Sequence, residues 1–160
     1  MRVAELDALP GPTCEERLRS CCDAPDWARR VTARRPFGDR AALLEAAVSE
    51  LARTSEADVD RALAAHPRIG ERSESTASRS EQAGALAAGV AVRERLAAGN
   101  LRYEERFGHV YLVCASGRSG EELLDILEAR LGNDPVTERA ILRRELAAIT
   151  RLRLERLVDA

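Results

Sequence analysis

Only one stretch of this chain, Val110-Tyr111-Leu112-Val113-Cys114, has the β-branched and aromatic composition of a strand. A lone strand has no partner to meet its backbone N–H and C=O groups, so no sheet can be built around it. The run is therefore expected to be a buried extended connection or a helix start. Everything else carries helix punctuation. Thr13-x-x-Glu16 has the form of a capping box opening a helix through Cys22, and Pro25 suits a first helical position ahead of Trp27 and Val31. Arg35-Pro36-Phe37-Gly38 is a break, after which Asp39 can cap a helix whose Leu44, Ala47, Val48 and Leu51 follow the i, i+3, i+4, i+7 pattern.

Ser55-x-x-Asp58 predicts a further capped helix, through Val59, Ala62 and Leu63 to His66, where Pro67 stops it. Residues 67–77 are polar and aperiodic and are expected to form a loop. Ser78 then opens a helix expected to end at Gly99-Asn100, with Gly84 and Gly89 allowing close approach of a neighbour. A short helix over Leu101–Phe107 follows. Ser119-x-x-Glu122 caps another, bearing Leu123, Leu124, Leu127 and Leu131 and ended by Gly132-Asn133. Asp134-Pro135 starts the last. The expectation is an all-α fold, one compact domain over residues 1–160, with about seven or eight helices.

Charge and cysteine usage narrow the class of protein. The formal net charge is −2, and all 25 basic residues are arginine, interspersed with acids rather than clustered. No nucleic-acid partner is expected. No apolar run approaches the ~20 residues needed to cross a bilayer, so no membrane partner is expected either. Met1-Arg2-Val3-Ala4-Glu5 lacks the apolar core of a signal peptide, which points to a cytoplasmic protein. Cys14, Cys21, Cys22 and Cys114 match no common zinc spacing and are expected to be core residues, with no metal.

The residues with chemistry to offer gather in the middle of the chain. His66 is an imidazole at a helix end, Ser78-x-x-Glu81 begins the next helix, and Gln82 can donate and accept together, as an amide or ureido group requires. In the last helix the apolar stripe Leu142, Leu146, Ile149, Leu157 skips a position at Arg153, whose fork could hold an anion. Plainer roles fit the same residues: a cation at a helix C-terminus for His66, a capping box for Ser78 and Glu81, a snorkelling side chain for Arg153.

A set of motifs in order along the chain joins these residues. They are Cys22 with Trp27-Ala28, Arg35-Pro36-Phe37, Ala62-Leu63-x-x-His66-Pro67, Ser78-x-x-Glu81-Gln82-Ala83-Gly84 and Tyr103-x-x-Arg106-Phe107-Gly108. Arg130-Leu131-x-Asn133, Glu138 and Arg153-Leu154-x-x-Leu157 complete the set. By these the chain resembles the 2-oxo-4-hydroxy-4-carboxy-5-ureidoimidazoline (OHCU) decarboxylase family, which completes the conversion of urate to allantoin. The resemblance implies an all-helical, cofactor-free decarboxylase, usually a homodimer, acting on a small-molecule substrate. It makes His66 and Glu81 the catalytic pair and places Pro67, Ser78, Gln82 and Arg153 against the substrate. Arg68 stands where Asp is common after His-Pro, and His109 replaces a frequent aromatic after Phe-Gly. Loss of carbon dioxide from such a substrate leaves an enolate-like carbanion, and protonation on one face gives (S)-allantoin. Two other readings stay open: a non-catalytic helical scaffold of this fold, or a related enzyme acting on another ureido acid.

Overall fold

The computed structural model describes residues 1–71 and 75–158. Among these residues it holds ten helices and no strand, so the all-α expectation stands while the helix count rises. Two compact units are present: Met1–Ala62 with the chain from Ala147 onward, and Leu63–Leu146. Helices α5 (Glu56–Ala64) and α10 (Pro135–Val158) supply residues to both.

The first unit holds α1 (Val3–Ala8), α2 (Gly11–Arg19), α3 (Pro25–Thr32) and α4 (Arg40–Ala52). The expected capping box at Thr13 is absent. Helix α2 starts three residues earlier, with Pro10 in the cap position, because Pro10 and Pro12 flank its first position and a proline lacks the N–H that a cap would have to satisfy. It also ends earlier than expected, with Cys21 and Cys22 donating to Leu18 O at 2.9 and 3.1 Å. Asp39 caps α4 as expected, accepting from Ala42 N at 2.8 Å. Leu44, Ala47 and Leu51 of the expected stripe of α4 are buried, but the buried face widens to Leu43, Ala46 and Glu50, and Val48 is exposed. A glutamate on that face hides its extent. Glu50 is kept there by Arg30, which donates to its carboxylate at 3.0 Å and to its carbonyl at 3.2 Å.

Trp27 ties α3 to α4 through Nε1, which donates to Ala47 O at 2.9 Å. The Arg35-Pro36-Phe37-Gly38 break has a structural use. One Arg35 nitrogen donates to the carbonyls of Leu6, Asp7 and Leu9 at 3.3, 3.2 and 2.7 Å, meeting acceptors left over at the end of α1. The Asp7 carboxylate in turn accepts from Phe37 N at 3.0 Å and Gly38 N at 3.2 Å. Cys14, Cys21 and Cys22 are buried here as expected, whereas Cys114, in the other unit, is only half-buried.

The second unit holds α6 (Thr76–Glu81), α7 (Ala83–Ala87), α8 (Val90–Phe107) and α9 (Gly120–Arg130). Its core gathers Ile69, Leu96, Tyr103, Tyr111, Val113, Leu123 and Leu127. Residues 110–115 are the buried extended connection anticipated above, and side chains meet its backbone groups in place of a neighbouring strand. Arg130 donates to Leu112 O at 2.6 Å, and Cys114 N donates to Glu145 at 2.9 Å. Arg130 is itself held by Glu138 at 2.6 Å, and the Tyr103 hydroxyl donates to the same carboxylate. Asn133 donates to the other Glu138 oxygen at 3.1 Å. Four residues of the quoted motifs thus form one buried cluster that carries the connection.

Two helix boundaries differ from expectation, with consequences for the site. The N-cap of α6 is Ser75, whose hydroxyl accepts from Ser78 N at 3.3 Å, so Ser78 lies inside the helix and is no cap. Gly99-Asn100 does not stop a helix either. Both are buried within α8, where Gly99 leaves room for Leu127, whose Cδ2 lies 2.6 Å from where a Cβ would stand. The stop is Gly108, at φ 75°, with its N–H donating to Glu104 O at 2.8 Å.

Candidate active site

Helix α5 ends at Ala64 because Pro67 bars continuation, and His66 N closes the last turn on Leu63 O at 2.9 Å. His66 is half-buried just past the C-terminal end of the helix. Pro67 is also half-buried. Ser78 and Glu81 are buried on α6, and Gln82, buried as well, is the single residue between α6 and α7. These five candidates all belong to the second unit. Arg153 belongs to the first, half-buried on α10, while the stripe position beside it is taken by the fully buried Leu154.

The return of the chain after His66 is arranged by residues that come later in the sequence. Gln82 reaches back twelve positions, and its side-chain oxygen accepts from Gly70 N at 2.9 Å. That bond joins the downstream end of the His66–Gly70 turn to the end of α6, where Glu81 sits. It also commits the acceptor half of the Gln82 amide. Gly70 turns at φ 91°, a left-handed conformation that glycine adopts without penalty.

Helix α8 grips the same turn from a second direction. Asn100 donates to Ile69 O at 2.9 Å, which fixes the amide's orientation. Its own carbonyl oxygen is buried and meets no hydrogen-bond donor among the described residues. Arg68 forks onto Glu104, with Nε to Oε1 at 2.7 Å and Nη2 to Oε2 at 2.8 Å, and reaches Glu71 at 3.2 Å. Glu104 first, and Glu71 after it, raise the arginine's affinity for its proton. The residue that departs from the His-Pro-Asp pattern is thus a strut. His109, the other departure, fills an aromatic slot, with ring centroids 5.5 Å from Tyr103 and 6.2 Å from Phe107.

Asn100, Glu104 and Cys114 were not among the candidates. Asn100 could have been found from spacing: Leu96, Asn100, Tyr103 and Phe107 fall on one face of a helix, and a polar residue on such a face needs a reason. It was concealed by the Gly-Asn pair reading as a stop. Burial raises the Cys114 thiol's pKa, and the charges of Glu145 and Glu81 raise it further, which also places Cys114 within electrostatic reach of Glu81. Such a thiol is protonated at neutral pH and is a poor nucleophile. Among the described residues, no group of three or more His, Cys, Asp or Glu side chains could hold a metal ion.

The family model described as OHCU decarboxylase matches residues 7–155. The chain belongs to the OHCU decarboxylase family. Among curated proteins, the uric acid degradation bifunctional protein TTL of Arabidopsis thaliana is 30% identical over 151 residues, covering 89% of this chain and 47% of that protein. The 2-oxo-4-hydroxy-4-carboxy-5-ureidoimidazoline decarboxylase of Amia calva is 40% identical over 60 residues, 38% of this chain and 34% of that one. The chain therefore spans about half the length of the first of these relatives, or less. A crystal structure of OHCU decarboxylase in the presence of (S)-allantoin superposes with a TM-score of 0.82 at 26% identity, covering 91% of this chain and 99% of that one. A crystal structure of (S)-allantoin synthase shares the OHCU decarboxylase fold at a TM-score of 0.79 and 16% identity, with 99% of this chain and 55% of that one covered.

Proposed function

We propose that this chain decarboxylates OHCU to (S)-allantoin, without a cofactor, in the breakdown of urate. The observation that carries the proposal is the family match across residues 7–155, which contains the whole His66-Pro67 and Ser78-to-Gly84 block. The buried setting of Ser78, Glu81 and Gln82 supports it, because polar side chains are rarely kept from water without a use.

In this reading the bond between the ring and its carboxylate breaks, carbon dioxide leaves, and the electron pair stays on the ring as an enolate. A proton then adds to one face of the ring and sets the (S) configuration. His66, oriented by Glu81, moves that proton or the one on the substrate hydroxyl. The amide nitrogen of Gln82 donates to the ureido oxygen while its oxygen holds the Gly70 N–H. Ser78 and Pro67 line the substrate, and Arg153, assigned on the family likeness alone, binds its anionic group. The resemblance also implies a homodimer and a cytoplasmic setting, and both belong to this proposal.

The test uses substrate freshly generated from urate, with circular dichroism and carbon dioxide release followed together. The protein is expected to speed the appearance of optically active product, and His66→Ala to slow it by roughly 10²–10⁴-fold, the usual worth of a positioned acid or base. Decay no faster than the spontaneous, racemic reaction would overturn the function and leave a scaffold of this fold. Near-normal turnover by a folded His66→Ala would remove His66 from the mechanism.

A further inference from the structure

We propose that Arg68 and Glu104 are a positioning pair for His66: they pin the turn that carries the imidazole to α8 and so set where it stands in the reaction. The inference rests on the decarboxylase reading above and adds residues to it.

The turn is closed by backbone bonds from His66 N to Leu63 O at 2.9 Å and from Glu71 N to Arg68 O at 3.1 Å. Two polar groups between them are met by side chains from elsewhere, Ile69 O by Asn100 and Gly70 N by Gln82. Arg68 lies two residues from His66 and meets both oxygens of Glu104 in a bidentate pair, the arrangement that fixes orientation as well as distance. Glu104 and Asn100 are one helical turn apart, so a single face of α8 grips two consecutive residues of the turn.

A direct role for Arg68 toward the substrate is disfavoured by its charge state. Two carboxylates, Glu104 and Glu71, face its guanidinium and cancel the positive charge that a substrate anion would need. Arg68 therefore acts through the turn, with its influence on His66 exerted by geometry.

Two kinds of measurement test the pair. Arg68→Met and Glu104→Gln are each expected to lower kcat about tenfold while KM moves less than about twofold, since small displacements of an acid–base group cost rate more than binding. The charge-swapped double variant, Arg68→Glu with Glu104→Arg, is expected to recover most of that loss. Independently of activity, the chain has two histidines, so its imidazole NMR signals report each one separately. The His66 signal is expected to shift or broaden in Arg68→Met while that of His109, lodged between aromatic rings, stays in place. An unmoved His66 signal overturns the pair even if the protein proves not to be a decarboxylase. So does unchanged kcat accompanied by a lowered Tm, which would make the strut a matter of stability alone.

Discussion

Glu138 shows how much one residue carries in this protein. Its fully buried carboxylate holds Arg130, Tyr103 and Asn133, and through Arg130 it supports the Leu112 carbonyl of the extended connection. Replacing it with Gln leaves the Arg130 guanidinium buried without its counter-charge. The expected cost is about 3–5 kcal/mol of unfolding free energy, read as a lower urea midpoint at unchanged slope. These residues were visible as motif members in the sequence, but their purpose was not. Spacing along a chain does not say that residues 103, 112, 130 and 138 converge. The same holds at the candidate site, where His66, Glu81 and Gln82 stand out by their chemistry but the bond from Gln82 to Gly70 does not.

At the scale of the element, legibility followed the chemistry of helix ends. Asp39, Ser55 and Ser119 cap where their sequences say they should, because a short oxygen-bearing side chain beside a free N–H is a local event. Ser78 failed as a cap because Ser75, three residues earlier, takes the same role, and two serines at this spacing cannot be ranked locally. The glycines were ambiguous for a similar reason: one residue type serves stops, contacts and open positions. Gly84 is a contact, with Arg118 O only 1.8 Å from where a Cβ would lie, and backbone cannot step aside. Gly84→Ala is expected to cost several kcal/mol or rearrange α7 against α9, as overpacking at backbone does. Gly89 is the uncapped N-cap of α8 with open space around it, so Gly89→Ser should stabilise by a few tenths of a kcal/mol. Thermal melts of the two variants side by side would separate the roles.

For the molecule as a whole, the groups with upward-shifted pKa values point to an alkaline limit. Burial pushes the Cys22 thiol up to about 11, and it also raises Tyr103, Tyr111 and Cys114. The folded chain holds these protons more tightly than the unfolded chain does. Their stabilisation is therefore complete below the ordinary thiol value of 9.0 and is lost as pH climbs through the folded values. Cys22 alone accounts for roughly 3 kcal/mol of that loss between the two limits. Urea midpoints should be flat from neutrality to about pH 9 and fall steeply beyond it. A midpoint unchanged at pH 11 would contradict the burial of these groups. The all-helical class was legible at this scale because one unpaired strand-like run cannot make a sheet. The presence of two units was not, since α5 and α10 run on through the boundary without a break in pattern.

The pinned turn after His66 also bears on how this chain can change length. Gly70 is held by Gln82 and Ile69 by Asn100, while Thr76 begins a helix already capped by Ser75. A piece of the chain cut short before α8 would keep His66, Glu81 and Gln82 but lose Asn100 and Glu104, so the shortest piece that keeps the turn gripped has to run past Glu104.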